Sequence, residues 1–543
     1  MKRFIHTITM CLLFSPLCFA QMPYAQFVEN SHWIYDAMHI LSVELGQTTL
    51  ADRQPLSKGE LAEYFSALES TAIPQASAPL YGMIQDYFSN NNSFLLHNKY
   101  ISFDINGIFA LQGQYVHKSE NEVRVDSFLR YNRTPAIISV PVRLMFTPYV
   151  DFFTDIKIKK NYWASILSYP YTNLPLTSVS FDANLFPTPA AVTAGNSFFR
   201  LTIGRSPLNI GRSLSGSMMI ADTIDRLDYI TASFFYKKIH LALNVIELEP
   251  TRFIFSHEVS ACPINWMKIR LYEGVTVNTP FDPKYLNPMM IFHNHFGWLD
   301  VPFLESTAGT GGSKSLVGCQ IGVGIDLVPI RGLRLYGQYG QNQLQTYWEL
   351  EGSSTARNTP DGLGGLCGIE YIHPFTFGHL AITGEFLYAS PWMYINGNKH
   401  ISLYYRRENR GADSRSIMMW VANPYGPDTM GGIFQVALLA PKKYSAKFRY
   451  RFLVKGENDE NFFNLDKETG KDIYYPPSDH YDPIAQARTP SANPAYFHTL
   501  SLEGSYTVIK YLELNAGLNW TVVTGKKRGH AVDFYTSITY TIR

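Results

Sequence analysis

Basic side chains recur at every second position in several short stretches of this chain. Lys447, Arg449 and Arg451 alternate with Ala446, Phe448, Tyr450 and Phe452, and Lys268 and Arg270 alternate with Met267, Ile269 and Leu271. Arg143 stands between Val142 and Leu144, Arg200 between Phe199 and Leu201, and Arg334 between Leu333 and Leu335. In a β-strand a period of two puts these cations on one face and the apolar residues on the other. Carboxylates occupy matching polar positions: Asp326, Glu370, Glu385, Glu503, Glu513 and Asp533. Two chemistries fit. A basic wall would attract anionic sugars or small anions; alternatively, arginines and carboxylates pair across an interior and fill it. The near-neutral balance, Lys+Arg 46 against Asp+Glu 45, favours pairing and gives no support for nucleic-acid binding, which needs a clustered basic excess.

Other chemistry-bearing residues lead nowhere as clear. His293-Asn294-His295 puts two imidazoles on one strand face without a third ligand at convincing spacing, so they read as interfacial or loop histidines. Gly309-Thr310-Gly311-Gly312-Ser313-Lys314-Ser315 has the look of a phosphate loop, but Ser313 replaces the glycine before the lysine and no helix follows. It reads as a flexible linker. There is no Gly-x-Ser-x-Gly elbow and no His-Glu-x-x-His helix. The chain is therefore expected to be non-catalytic, without cofactor or bound metal. Cys262, Cys319 and Cys367 are far apart and odd in number, which implies neither a disulfide framework nor a zinc site.

The elements that would position the charged faces are strands. From Leu512 the even positions Leu512, Leu514, Ala516, Leu518, Trp520 and Val522 are apolar, and Glu513, Asn515, Gly517, Asn519 and Thr521 lie between them. The last segment repeats this, with Val532, Phe534, Ile538, Tyr540 and Ile542 against Asp533, Tyr535, Ser537, Thr539 and Arg543. Further alternating runs are Val140–Phe146, Phe199–Ile203, Trp266–Tyr272, Leu333–Gln338, Leu380–Tyr388, Tyr444–Val454 and His498–Val508. Their connections come in two sizes. Short ones lie at 236–238, 329–332, 374–378, 441–443 and 509–511; long ones lie at 117–137, 168–197, 279–315 and 456–496. Tight turns at one end and long loops at the other are the pattern of an outer-membrane barrel. A cation facing lipid at the midplane costs about 2–4 kcal/mol, so the eight alternating cations are expected to line the lumen. The expected fold is all-β: a transmembrane antiparallel barrel of about 16–18 strands over residues 96–543. Aromatic residues at 14% suit the girdles of such a barrel.

Residues 1–20 read as a cleaved secretory signal, with Lys2 and Arg3 ahead of the apolar Ile5–Phe14 and a small residue at Ala20. No later apolar run is long enough to span a bilayer as a helix. Residues 21–95 have helical periodicity instead. Trp33, Ala37, Ile40, Leu41 and Leu45 share a stripe, and Ser57-Lys58-Gly59-Glu60 is a capping box opening a second helix with Leu61, Tyr64, Phe65 and Leu68. A third helix is expected over Leu80–Phe88. The segment reads as a small helical bundle packed on the barrel's periplasmic end.

One stretch is distinctive: Ile203-Gly204-Arg205-Ser206-Pro207-Leu208-Asn209-Ile210-Gly211-Arg212, followed by Gly216-Ser217-Met218-Met219-Ile220-Ala221-Asp222. It resembles the motif of the capsule-assembly Wzi-like outer-membrane proteins. Tyr285-Leu286-Asn287-Pro288, Gly324-Ile325-Asp326, Gly332–Gln338 and Asn423-Pro424-Tyr425-Gly426-Pro427-Asp428 resemble further elements of that family in the same order. The chain departs from the family at Ile210, where a tryptophan is usual, and at His257-Glu258, where His-Arg is usual. The resemblance implies a barrel of about 18 strands with a periplasmic helical element, and retention of surface or capsular polysaccharide. It carries over no lectin residues. The alternative expectation is a porin-like channel for small polar or anionic solutes. Expected partners are outer-membrane lipid, the outer-membrane assembly machinery and, on the first reading, surface polysaccharide.

Overall fold

Alternation closes into a wall. The computed structural model describes residues 22–68, 73–89, 94–98, 100–119, 134–146, 148–160, 172–175, 188–292, 303–304, 314–315, 317–343, 361–396, 401–409, 415–457 and 488–542. Eighteen antiparallel strands form a closed barrel. In chain order they are β1 (Ile101–Ile105, continued by Gly107–Lys118), β2 (Ile138–Phe146), β3 (Val150–Ile158), β4 (Ala190–Gly195), β5 (Phe199–Ser206) and β6 (Leu227–Tyr236). Next come β7 (Ile239–Glu249), β8 (Arg252–Ile264), β9 (Met267–Asn278), β10 (Val317–Ile330), β11 (Leu333–Gln343) and β12 (Gly362–Phe375). The last six are β13 (Gly378–Ala389), β14 (Thr429–Ala440), β15 (Tyr444–Lys455), β16 (Ala495–Ile509), β17 (Leu512–Gly525) and β18 (Gly529–Ile542). β18 pairs with β1 from Ala531↔Lys118 to Ile542↔Gly107, so no sheet edge is left unpaired there.

The two faces of the wall differ as the alternation requires. Outward-facing Leu241, Ile325, Ile382, Phe434, Leu514 and Ile538 are exposed, whereas inward-facing Ser233, Arg270, Glu385 and Thr499 are buried. An apolar band running around a closed antiparallel barrel faces lipid. No helix among the described residues is long and apolar enough to cross a membrane.

The N-terminal segment holds α1 (Trp33–Glu44), α2 (Lys58–Ser66) and α3 (Ala78–Ser89). The capping box is complete: the Glu60 N–H donates to Ser57 Oγ (3.2 Å) and the Ser57 N–H donates to Glu60 Oε2 (2.8 Å). The segment packs at the short-turn end of the barrel and also enters it. It is set inside the mouth, where Ala37, Ile40, Leu41, Leu56 and Leu61 pack against inward-facing Phe235, Val328, Ile372, Ala381 and Ala437. The helices' apolar stripes need a partner, and these wall residues at the short-turn end supply it. Backbone bonds tie the segment to that end: the Thr48 N–H donates to Asn265 O (2.7 Å) and the Gly332 N–H to Val43 O (2.8 Å).

The lumen is also filled from the opposite end. The β5–β6 connection (207–226) and the described parts of the β13–β14 connection (390–428) fold inward. Met218, Met219 and Ile220 are fully buried against Tyr272, Tyr336, Leu366, Tyr394 and Trp420. The two fillings meet: Asn209–Ile210 pairs as a short antiparallel ladder with Arg53–Gln54, and the Gly211 N–H donates to Asp52 O (3.2 Å).

Candidate functional site

The interior is organised around charges. Asp52, on the turn after α1, accepts from Lys268 Nζ (2.8 Å) and from both terminal nitrogens of Arg270 (2.8 and 3.2 Å). Arg270 Nε also donates to Glu258 (3.0 Å), and Glu258 receives Arg53 Nε from the inserted segment (2.8 Å). Lys268 continues to Asp326 (3.0 Å), Asp326 receives Arg334 Nε (2.6 Å), and Arg334 reaches Glu370 (3.3 Å). Glu370 bonds to His39 Nε2 of α1 (2.8 Å). Arg53, Lys268, Arg270 and Arg334 thus face Asp52, Glu258, Asp326 and Glu370, four cations against four carboxylates, all buried. Two of these contacts are built into the wall, because Lys268↔Asp326 and Arg334↔Glu370 are direct cross-strand partners. A void of about 10 Å³ remains beside Asp52, Lys268 and Arg334, space for a single water.

The electrostatics follow from this packing. Burial pushes the Asp52 carboxyl upward, but Arg270 and Lys268 outweigh it and hold Asp52 well below the usual carboxylate range. Burial pushes His39 below the ordinary imidazole value, against the pull of Glu370. At the mouth, His32 caps α1 by accepting from the Ile34 N–H (3.3 Å). Burial, with the fields of Arg143, Lys442 and Lys58, pushes His32 down to about 3.

The eight cations divide into groups. Arg200 is 1% exposed, pairs with Glu60 of α2 (2.9 Å) and donates to Pro55 O (3.0 Å). Arg143 pairs with Asp151 (3.3 Å) and donates to Phe27 O (2.7 Å). With Lys268 and Arg270, these two grip the N-terminal segment, whereas Arg334 donates to Arg212 O of the β5–β6 connection (3.0 Å). Arg451 serves the second filling, donating to Tyr425 Oη (2.9 Å) and to Thr499 Oγ1 (3.1 Å) of the wall. Arg449 donates to Gln435 Oε1 (2.6 Å), and Lys447 stands opposite Glu503 in register. Lys447 and Arg449 are only half-buried. They belong to a polar stretch of inner wall on β15–β18 and β1, with Glu503, Asn515, Asn519, Asp533 and Gln114, that the fillings leave partly exposed. Of the predicted carboxylates, Glu385 has a different role from ion pairing with an arginine. It accepts the N–H groups of Leu214 (2.7 Å) and Ser215 (2.8 Å) and the Tyr336 hydroxyl (2.6 Å), and so anchors the inserted connection.

The distinctive 203–222 stretch is the end of β5 and most of this inserted connection. Gly216 has φ +97°, and a Cβ there would lie 2.5 Å from Pro424 Cδ, so the two inward connections close together only over a glycine. Asn423 Nδ2 donates to Gly216 O (2.9 Å), which joins the late Asn-Pro-Tyr-Gly element to it. The departure at Glu258 has a purpose too: a carboxylate there receives Arg53 and Arg270 together. Sequence reasoning did not identify His39, Asp52, Arg53 and Glu60 as lumen partners. Only Glu60 carried a local signal, its place in the capping box. Residues 1–20, His293–His295, Gly309–Ser313, 458–487 and Arg543 lie outside the described residues. Among the described residues, no group of three or more His, Cys, Asp or Glu side chains could hold a metal ion.

A closed wall with an apolar exterior and an interior occupied by its own chain defines an outer-membrane β-barrel. Among solved structures it is similar to Wzi of Escherichia coli, an outer-membrane protein involved in group 1 capsule assembly and a carbohydrate-binding β-barrel. The TM-score is 0.56 at 12% identity, over 95% of this chain and 99% of that one. OprD of Pseudomonas aeruginosa superposes less closely, with TM-score 0.40 at 10% identity over 81% of this chain and 95% of that one. The sequence matches no protein-family model and no curated protein. At these identities the likeness is one of fold.

Proposed function

We propose that this barrel is a surface anchor that attaches or retains polysaccharide at the cell exterior and carries out no reaction of its own. One observation carries the reading: the lumen is packed from both ends, with Asp52, Glu60, Arg200 and Met218–Ile220 buried inside it. A filled barrel is a rigid platform for exterior loops and a poor conduit. The shared fold with a carbohydrate-binding barrel supports the same reading. In this proposal the leader directs export, the assembly machinery inserts the wall, the short-turn end faces the periplasm and the long connections face outward. Cells lacking the protein should shed polysaccharide into the medium; unchanged retention would remove the proposal.

The second reading, a channel for small polar or anionic solutes, is favoured by the half-exposed polar wall on β15–β18 and β1. Planar bilayers separate the two. The filled lumen predicts no stable open state, and steady nanosiemens-scale conductance of the full chain would reverse the ranking.

A further inference from the structure

The outside of the wall breaks one rule of its own alternation. Arg205, Asp228 and Glu247 are in register on neighbouring strands β5, β6 and β7, and all three are on the outward face. Arg205 forks onto Asp228, with Nε and a terminal nitrogen at 2.7 and 2.6 Å from its two oxygens, and Glu247 beside them is exposed. The row lies at the end of β5 that leads into the long inserted connection, one step beyond the exposed apolar Ile203 and Ile230. Charges there sit at the edge of the apolar band, where a lipid-facing charge costs about 0–1 kcal/mol instead of its midplane cost.

Directly below the row the wall is hollowed. β4 is 6 residues long and β5 is 8, against 13 in β8, so the wall is low at this point. The depression has a volume of about 660 Å³ and is lined by Phe152, Val192, Ile203, Ile230 and Phe253 among others. Phe152, Val192, Ile203 and Ile230 are exposed members of the apolar band, and Arg205, Asp228 and Glu247 also line the depression.

We infer that this groove is a binding site for a single outer-leaflet glycolipid, with one acyl chain in the hollow and a phosphorylated sugar head at the charged row. The hollow is continuous with the lipid-facing band, so its occupant comes from the membrane. The head is set by charge. One guanidinium suits a phosphate, but the two carboxylates make the row net negative, which repels a head offering phosphate alone. A head that also presents hydroxyl or amide donors satisfies the carboxylates, and a phosphorylated sugar has both. The inference concerns the exterior wall and stands whether or not the protein retains polysaccharide.

The test uses the full chain in nanodiscs of phosphatidylethanolamine containing lipid A as a minor component. Native mass spectrometry then counts the lipids that stay bound on release. The wild type should hold one lipid A. Val192→Trp fills the hollow and should lower that occupancy about tenfold, whereas Ile382→Trp, on the lipid face of β13, should leave it unchanged. Equal lipid A retention by Val192→Trp and wild type would overturn the inference, as would equal retention of phosphatidylethanolamine and lipid A by the wild type. Should Val192→Trp fail to show heat-modifiable migration, the Arg205→Gln variant, which removes the one cation of the row, decides. It should lose lipid A several-fold, and undiminished retention again overturns the inference.

Discussion

Neutralising Asp52 is the sharpest test of how the lumen is held. Its carboxylate is buried and is the acceptor shared by Lys268 and Arg270, which bond it at 2.8 Å each. The surrounding network is balanced, four cations against four carboxylates, so Asp52→Asn leaves one positive charge unmatched in a site that solvent barely reaches. Removing one member of a buried pair costs about 3–5 kcal/mol, because the partner stays buried without compensation. At about 1.4 kcal/mol per factor of ten, seating of the N-terminal segment should weaken by about two to three and a half orders of magnitude. The hydrophobic packing of α1 and α2 against the wall remains, so the barrel should still close while the segment opens more often. The assay is limited proteolysis of the folded protein in detergent, with cleavage between residues 22 and 68 followed over time beside thermal unfolding. Adding Lys268→Met restores the charge balance and should recover more than half of the loss. If Asp52→Asn lies within about 0.5 kcal/mol of wild type, the network does not hold the segment and the argument fails.

Other perturbations probe separate parts of the structure. Because His32 is pushed down to about 3 in the folded protein and a free imidazole titrates near 6.5, its cap on α1 is fully present above about pH 6.5 and is lost as pH falls toward 3. Proteolysis of the segment should therefore accelerate on acidification, and His32→Asn, which caps without titrating, should reduce that slope; an unchanged slope refutes the assignment. Gly216→Val meets Pro424 and a φ of +97°, and should cost about 1–3 kcal/mol, seen as a lower unfolding temperature and transient conductance in planar bilayers. Phe386→Arg puts a cation on the exposed outward face of β13 and should cost about 2–4 kcal/mol in membrane-folded protein. Asn519→Arg, on the half-exposed inner wall, should be nearly neutral by the same unfolding measurement, and equal costs for the two would mean the outer face does not meet lipid.

The wall was legible because its code is local. A period of two marks a face without any knowledge of neighbours, which is why Lys268 and Arg270, or Glu513 and Asn515, could be assigned to one side from their own strand. The three helices were legible for the same reason, down to the reciprocal bonds of Ser57 and Glu60. Contents of the lumen are not coded locally. Arg53 reaches Glu258 across 205 residues and His39 reaches Glu370 across 331, and no spacing within either stretch announces the other. The bundle was consequently expected at one end of the barrel, and how far it enters the lumen was not readable. Glu385 shows a further limit: its parity was readable, but not that its partners would be two backbone N–H groups of a connection 170 residues earlier.

Arg205 shows where the parity argument needs a second coordinate. Alternation alone puts it on the lipid side, and the midplane cost of a cation would then have argued against the strand itself. Height along the strand resolves the conflict. Arg205 is the penultimate residue of β5, above Leu201 and Ile203 on the same face, and Asp228 lies directly across from it. The cost of a charge falls steeply between the midplane and the interface, so Arg205 can face outward near one end of β5, while Arg200, near the other end, faces inward because Glu60 of the inserted segment meets it there. The two arginines of one strand are thus held in different ways: Arg200 is inside and paired with Glu60 of the inserted segment, and Arg205 is outside and paired with Asp228 of the wall. A strand that carries cations on both faces is compatible with hydrocarbon only if the outward one stays near the rim, and that is where β5 has it.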